Sequence, residues 1–289
     1  MVKGKLDGIW LGDDFPVRIM GIINVSPESF YKPSISFGED NLSQRAITMV
    51  KEGAEIIDLG GMSTAPYIQT EIPVEEEIRR LTSAIKVIRK VVDVPISVDT
   101  PRSSTASTAL EAGATIVNDV SGLKYDSNMA NVISKNHASA ILMAHETIPH
   151  SGTPIERILA SLQETLRLSD QAGIHRQKII IDPGLGFFRR EGKGYGFSLS
   201  KDLPWYAWDA SVIRNLEQLR TLGRPFCISI SRKSFIGKIL DLENPNDRLN
   251  GSLAATAIAV LNGVNLVRTH DVAATVQAVR IAESIRKQS

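Results

Sequence analysis

The chain has 289 residues, with 33 basic and 32 acidic side chains, and an apolar content that is ordinary for a globular protein. This near-neutral charge argues against a general nucleic-acid binder, which carries a basic face. The single cysteine, Cys227, excludes an internal disulfide and suits a reducing compartment. The N-terminal stretch MVKGKLDGIW lacks an apolar signal core, and no run of about 18 apolar residues exists, so we expect a cytoplasmic protein without membrane association.

Short runs rich in β-branched residues alternate along the chain with longer segments of helical period. The runs are continuously apolar, as expected for parallel strands buried on both faces. The predicted strands cover residues 19–25, 55–60, 95–99, 115–119, 138–143, 178–182, 225–230 and 265–270. Between them, apolar side chains recur every three or four residues, as in the sets Ile78, Leu81, Ile85, Ile88, Val92 and Ile155, Ile158, Leu159, Leu162, Leu166.

Strands that alternate with helices in this way predict a (β/α)₈ TIM barrel, with a single domain over residues 1–289. An open doubly wound sheet is the alternative, but no G-x-G-x-x-G motif follows the first strand. We expect the first dozen residues to form a short extra strand or hairpin across the barrel floor.

One connection is longer than the others. After strand six, residues 184–211 read GLGFFRREGKGYGFSLSKDLPWYAWDAS before the next clear helix. Long βα connections are usually functional or disordered, and the aromatic content here argues against plain disorder. We expect a functional loop, and a surface elaboration or a dimer contact is the alternative.

Polar side chains follow nearly every predicted strand, at the end where a barrel builds its active site. They are Asn24, Asp58, Ser63, Thr64, Asp99, Asn118, Asp119, Asp182, Arg232, Lys233, Arg268 and His270. Any one of them is explained equally well as a turn former or a helix cap. Because so many converge on one rim, a shared pocket is the better interpretation.

The predicted pocket has two electrostatic halves. One half offers hydrogen-bond acceptors that suit a flat heterocycle with N–H and NH₂ donors: Asp99, Asn118 and Asp182. The other half follows strands seven and eight, where barrels often bind phosphate: Lys233, Arg268 and His270. Strand one neighbours strand eight in a closed barrel, so Asn24 joins this second half. The inferred ligand is a donor-rich ring with an attached phosphate group.

Several long motifs resemble, in the same order, the signatures of the dihydropteroate synthase family of pterin-binding barrel enzymes. They are IMGIINVSPESF, GAEIIDLGGMSTAP, SVDT, ATIVNDVSGL, IDPGLGF, ISRKSFIG and DRLNGSLAATAIAVLNGVNLVRTHDV. The resemblance runs from about Arg18 to Arg280, which is nearly the whole chain. It implies a transferase that condenses a dihydropterin-methyl pyrophosphate with an aryl amine, p-aminobenzoate in folate synthesis, with Mg²⁺ as cofactor.

The resemblance also implies roles for individual residues. The residues that match the family's pterin site are Asp99, Asn118, Asp182 and Lys233. Those that match its pyrophosphate site are Asn24, Arg268 and His270, with Asn24 also near Mg²⁺. Thr64 matches a residue near the pyrophosphate and the incoming amine, and Asp58 a carboxylate that orients Arg268. Arg232 and Ser234 match the wall of the aryl-amine pocket, and the catalytic group is Lys233, Arg268 and His270.

The sequence departs from the family pattern on the side of the second substrate. The opening loop, SPESFYKPSISFG, has Pro33 and lacks the family's Ser-Asp-Gly-Gly stretch, and Met62 and Ala65 replace a Glu and an Arg of the second signature. The long loop adds charge through Arg189, Arg190, Lys193 and Lys201, and ring surface through Trp205, Tyr206 and Trp208. These departures suggest a larger acceptor, such as an arylamine that carries a ribosyl phosphate, as in methanopterin-type pathways.

Two other readings remain open at this stage. A pterin-binding methyltransferase uses the same barrel without handling pyrophosphate, and a non-catalytic pterin-binding protein would tolerate the altered loops. A zinc enzyme is disfavoured, because His145 and His150 lie five residues apart, off the spacing of a helical zinc pair. A homodimer through the last helices is expected from the family resemblance.

Overall fold

Eight parallel strands form a barrel in the computed structural model, which describes residues 1–26, 38–62, 71–189, 198–199 and 203–287. A two-stranded hairpin precedes them and a two-stranded ladder interrupts the second half. The strands are β1 (Lys3–Leu6), β2 (Ile9–Gly12), β3 (Arg18–Asn24), β4 (Ile56–Gly60), β5 (Ile96–Asp99), β6 (Ile116–Asp119), β7 (Ser139–Met143), β8 (Ile179–Asp182), β9 (Phe188–Arg189), β10 (Ser198–Leu199), β11 (Cys227–Ser229) and β12 (Leu266–Thr269).

The sheet order is β11-β12-β3-β4-β5-β6-β7-β8, and every neighbouring pair is parallel. A parallel bridge between Ile181 and Phe226 joins β8 to the start of β11 and closes the ring. The backbone N–H of Ile181 donates to the carbonyl of Pro225 at 3.1 Å at this closure. The prediction of a (β/α)₈ barrel built from these eight strands is confirmed.

Helices connect the strands and cover the outside of the barrel. They are α1 (Glu39–Glu52), α2 (Val74–Ile88), α3 (Ser103–Glu111), α4 (Met129–Lys135), α5 (Pro154–Gln171), α6 (Trp205–Arg214), α7 (Ser234–Leu240), α8 (Leu249–Leu261) and α9 (Val272–Arg286). The two amphipathic segments predicted from the sequence are α2 and α5, and each buries its apolar face. Across the described ranges, no helix combines the length and the hydropathy needed to cross a membrane.

The N-terminal hairpin covers the barrel floor, as predicted. β1 and β2 pair antiparallel, and Leu6 and Leu11 are both 0% exposed. They pack with inward-facing residues from the first part of the barrel strands, Met20, Ile56, Ile116, Ile141, Ile180, Cys227 and Leu266. Burying each leucine contributes about 1.5–3 kcal/mol, so the hairpin seals this end of the barrel. Cys227 is a buried core residue with a free thiol, as the sequence indicates.

The barrel interior changes from apolar to polar along the strands. Side chains two residues apart on a strand face the same side of the sheet. The residue two positions after each apolar residue of the barrel floor therefore also faces the interior. These include Asp58 after Ile56, Asn118 after Ile116, Asp182 after Ile180 and Arg268 after Leu266. The alternation therefore places a layer of charged and amide groups directly above an apolar plug.

The loop after β8 ends earlier than predicted, because α6 begins at Trp205. Trp208 is 2% exposed, and its ring stacks on Phe188 with centroids 4.7 Å apart. The prediction that Trp208 adds open ring surface to the loop is therefore wrong, because its ring is part of the hydrophobic core. Residues 190–197 and 200–202, which include Arg190, Lys193 and Lys201, lie outside the described residues.

Candidate active site

Arg268 is held between two carboxylates at the polar end of the barrel. Its Nε donates to Asp58 Oδ2 at 2.6 Å, and its Nη2 donates to Asp99 Oδ2 at 2.8 Å. The side-chain amide of Asn118 donates to the same Asp58 oxygen at 3.5 Å. Burial lowers the pKa of Arg268, but the charges of Asp58 and Asp99 outweigh that effect and raise it. The expectation that Asp58 orients Arg268 is confirmed.

Asp99 presents an acceptor that the protein leaves unused. It lies opposite Asn118 in the register of β5 and β6, and its Oδ1 is buried without a hydrogen-bond partner among the described residues. Burial raises the pKa of Asp99 to about 7, against the charge of Arg268 and with a further contribution from Asp58. A buried acceptor without a donor costs free energy, so a ligand N–H group at this point would be stabilising.

Asp182 ends β8, and Lys233 follows β11, the neighbouring strand that closes the ring. Lys233 is the residue before α7; its Nζ donates to the carbonyl of Leu185 at 2.7 Å and lies 4.7 Å from the ring centroid of Phe187. Burial lowers the pKa of Lys233 to about 8, although the charges of Asp182 and Asp209 oppose the shift. Asp182 accepts from the backbone N–H of Gly184 at 2.7 Å, and burial raises its pKa.

His270 follows β12 and is buried. Its Nδ1 lies 2.9 Å from Ser231 Oγ, and its backbone N–H donates to the same hydroxyl at 3.3 Å. Burial, followed by the positive charges of Arg268, Arg232 and other nearby cations, lowers the pKa of His270 well below its ordinary value. His270 is therefore neutral at pH 7 and contributes hydrogen bonds to the site, whereas the positive charge of this half of the pocket comes from Arg268 and Lys233.

Asn24 and Ser234 lie where the sequence predicts, at the end of β3 and the start of α7. Asn24 pairs with Gly60, and a Cβ at Gly60 would lie 2.7 Å from Asn24 Oδ1. The glycine thus leaves room for the amide of Asn24. Ser234 Oγ accepts from Nη2 of Arg189 at 3.2 Å.

Arg232 is fully engaged by the protein. Its Nε and Nη2 donate to the Asp271 carboxylate at 2.8 and 2.7 Å, and its Nη1 donates to the carbonyls of Pro245 and Asn246. Its backbone has a φ of 55°, in the left-handed region that a side chain rarely adopts. These bonds tie three loops together, so a structural role accounts for Arg232, and its place in the amine pocket stays a prediction.

Met62, one of the departures from the family pattern, contributes to an apolar cluster near the rim. It is 3% exposed and groups with Val120, Met143 and Phe187. Sequence reasoning missed these three neighbours, although Val120 directly follows β6, Met143 ends β7 and Phe187 directly precedes β9. Ser63, Thr64, Ala65 and Pro33 lie outside the described residues.

Within the part of the chain that the structure describes, no group of three or more His, Cys, Asp or Glu side chains could hold a metal ion. The backbone carbonyl of His145 accepts from Lys124 Nζ and from Ser161 Oγ. His145 is thus bound into the loop after β7.

The closed barrel holds buried carboxylates, an amide and an ion-paired arginine above its apolar floor. This arrangement defines an enzyme with a small-molecule pocket at the carboxyl ends of its strands. The profile of the family described as Pterin binding enzyme matches residues 20–270. A dihydropteroate synthase from Bacillus subtilis strain 168 is 35% identical over 254 residues, covering 88% of this chain and 83% of the relative. One from Synechocystis is 34% identical over 274 residues, covering 92% of this chain and 89% of the relative.

Solved structures give the same result. A dihydropteroate synthase from Coxiella burnetii in complex with pteroic acid has a TM-score of 0.84 and 33% identity, with 100% of both chains covered. One from Xanthomonas albilineans with 4-aminobenzoic acid has a TM-score of 0.83 and 31% identity, with 98% of both chains covered. The chain belongs to the dihydropteroate synthase family of pterin-binding enzymes, and it is a transferase of that class.

Proposed function

We propose that this enzyme condenses 6-hydroxymethyl-7,8-dihydropterin pyrophosphate with p-aminobenzoate and releases pyrophosphate, as a step of folate synthesis. The observation that carries the proposal is the Arg268 clamp, with Asp58 and Asp99 at 2.6 and 2.8 Å beside the unused Oδ1 of Asp99. It puts a permanent cation next to a buried acceptor, which suits a ligand with ring donors and an anionic tail. The relatives' names and ligands support the same reaction.

The residues divide the chemistry between binding and charge stabilisation. The acceptors of Asp99, Asn118 and Asp182 bind the pterin N–H groups, and Lys233 donates to an acceptor of the ring. As the C–O bond to pyrophosphate breaks, negative charge grows on the departing group. The guanidinium of Arg268 has five N–H donors, more than its bonds to Asp58 and Asp99 use, so the remaining donors stabilise that charge. An aryl amine needs no strong base, so its alignment with the methylene carbon supplies much of the rate.

Mg²⁺ fits this proposal through Asn24. Mg²⁺ binds hard oxygen ligands and takes most of them from substrate phosphates and water, with one or two from the protein. The amide oxygen of Asn24 is such a ligand, and the absence of a side chain at Gly60 leaves room for that amide at the end of β3. When bound, the ion would supply charge neutralisation on the pyrophosphate.

We favour p-aminobenzoate over an arylamine that carries a ribosyl phosphate. The larger acceptor was suggested by extra cations and rings in the loop after β8. In the described residues of that loop, Arg189 is 7% exposed and bonds to Asp209 and Ser234, and Trp208 packs in the core. Neither offers an open surface for a second phosphate.

The acceptor can be identified by isothermal titration of the two amines in the presence of pterin and pyrophosphate. We expect p-aminobenzoate to bind at least as tightly as the phosphorylated arylamine. A clear preference for the phosphorylated amine would show that our choice of acceptor is wrong.

We further propose a homodimer through α8 and α9. These two helices pack against each other, and they leave large apolar side chains exposed, with Ile258 at 51%, Leu261 at 42%, Ile281 at 65% and Ile285 at 54%. Covering such a surface with a second copy would remove it from water. Analytical ultracentrifugation of the wild type and of Ile281→Glu checks this, since the variant should shift towards monomer.

The reaction itself is tested by mixing the pterin pyrophosphate, Mg²⁺ and p-aminobenzoate and measuring pyrophosphate release. We expect release that requires the amine. Binding of the pterin without turnover would favour a non-catalytic pterin-binding protein. Methyl transfer from a methylated pterin would favour the methyltransferase alternative.

A further inference from the structure

A buried carboxylate outside the strand-end motifs holds the loop that contacts Lys233. Asp209 lies on α6 and is 0% exposed. Its Oδ1 accepts from the backbone N–H of Gly186 at 2.9 Å, and its Oδ2 lies 3.3 Å from Nη1 of Arg189. One side chain thus fixes two points of the segment 185–189, which follows β8.

This segment in turn touches both residues at the start of α7. The carbonyl of Leu185 accepts from Lys233 Nζ at 2.7 Å, and Nη2 of Arg189 donates to Ser234 Oγ at 3.2 Å. Gly186 has a φ of 87°, and a Cβ there would lie 2.9 Å from Lys233 Cδ and 3.1 Å from its Nζ. The backbone at Gly186 therefore packs directly against the lysine.

Ring contacts make the support rigid. The guanidinium of Arg189 lies 4.5 Å from the ring centroid of Trp205, and Phe188 stacks on Trp208. Both tryptophans belong to α6, as Asp209 does. The helix and the segment 185–189 are thus joined by ring contacts as well as by the carboxylate, and the segment links the helix to Lys233 and Ser234.

We propose that Asp209 is a positioning residue of the transferase, which holds the segment 185–189 so that Lys233 and Ser234 meet the two substrates in the correct geometry. The inference rests on the proposed function, because it assigns these two residues to substrate binding. Asp209 itself is not a catalytic residue, since its oxygens bind the protein. It adds a second effect, because its negative charge opposes the loss of the proton from Lys233.

The central test compares Asp209→Asn with the wild type in steady-state kinetics of pyrophosphate release across pH. Asparagine keeps an acceptor for Gly186 but removes the charge. Losing a charge-assisted bond predicts a fall in kcat/KM on the order of tenfold. The charged groups with the largest effect on the Lys233 pKa are Asp182, Asp209, Arg268 and Arg189, and Asp99 and His270 also interact with it. Removing one negative charge from this set lowers the Lys233 pKa from about 8, so activity should decline at a lower pH than in the wild type.

Glu146→Gln is the matched control. Glu146 is also buried and pairs with Arg157. Arg157 donates to the carbonyl of Leu199 in β10, the strand that pairs with β9. Among the described residues, Glu146 bonds to Arg157, to Ser198 and to the backbone of His150. Arg157 in turn lies over the rings of Phe188 and Trp208, so the control disturbs the same support without a charge change beside Lys233. We expect Glu146→Gln to lose comparable stability yet keep the wild-type pH profile.

A second variant reaches the same contact without changing the buried carboxylate. Gly186→Ala forces a Cβ against Lys233 at a positive φ, and should lower kcat/KM in the same direction. This variant carries the test if Asp209→Asn does not fold. The inference alone would be overturned if the wild type is active but Asp209→Asn and Gly186→Ala both show the same kcat/KM and the same pH profile as Glu146→Gln. A wild-type chain that released no pyrophosphate would overturn the proposed function, and the inference with it.

Discussion

Replacing Lys233 with methionine should stabilise the fold at neutral pH while it abolishes turnover. Burial lowers the pKa of Lys233 from 10.5 to about 8, and this difference corresponds to about 3 kcal/mol at about 1.36 kcal/mol for each tenfold change. Loss of the hydrogen bond to Leu185 offsets about 1 kcal/mol of this gain in stability. Partial exposure of the lysine at the rim reduces the free-energy cost of burying its charge, and so reduces the gain further. We therefore expect Lys233→Met to gain about 1–2 kcal/mol at pH 7.

The pH dependence gives this prediction its sign. Because folding lowers the Lys233 pKa, the unfolded chain holds a proton between pH 10.5 and about 8 that the folded chain has released. The unfolding free energy of the wild type consequently falls as pH drops through that window. Lys233→Met has no lysine at this position, so its stability does not fall for this reason. Urea unfolding at pH 7 and pH 10.5 measures the difference in unfolding free energy between Lys233→Met and the wild type. The variant should be more stable at pH 7, and the two proteins should be nearly equal in stability at pH 10.5. A variant that is less stable than the wild type at pH 7 would refute the reasoning and make Lys233 a structural residue.

Three further outcomes follow from the site. Asp58→Asn removes half of the buried Arg268 clamp and should cost about 3 kcal/mol in urea unfolding; a loss near zero would show that Arg268 does not depend on it. Pterin affinity should fall about tenfold per pH unit below about 7, because protonation of Asp99 removes an acceptor, and titration calorimetry of Asp99→Asn should lose this dependence. His270→Ala should weaken binding of the pterin pyrophosphate more than binding of the bare pterin. Equal weakening of both ligands would place His270 outside the pyrophosphate site.

The barrel could be predicted from sequence because its physical signals are local. Strands buried on both faces must be apolar throughout, and the polar residue that ends each strand is a visible break in that pattern. Asp58, Asp99, Asn118, Asp182 and the residues after the last two strands share one rim because parallel strands end together. Family motifs and barrel geometry therefore pointed to the same positions.

Other features depend on contacts between distant segments and leave no local signal. Trp208 looks like a loop aromatic until its stacking on Phe188 is known, and Asp209 looks like a surface carboxylate of α6 although it is fully buried. Arg232 belongs to the same SRKS motif as Lys233, but its partner Asp271 lies 39 residues later. Neighbours in sequence thus differ in role because their partners come from different parts of the chain.

A crystal structure of this chain with the dihydropterin pyrophosphate would test the central claim most directly. We predict a flat ring whose donors meet Asp99, Asn118 and Asp182, whose acceptor meets Lys233, and whose anionic tail contacts Arg268 and His270. A ring bound anywhere else on the protein, with the Arg268 clamp facing only solvent, would contradict the account.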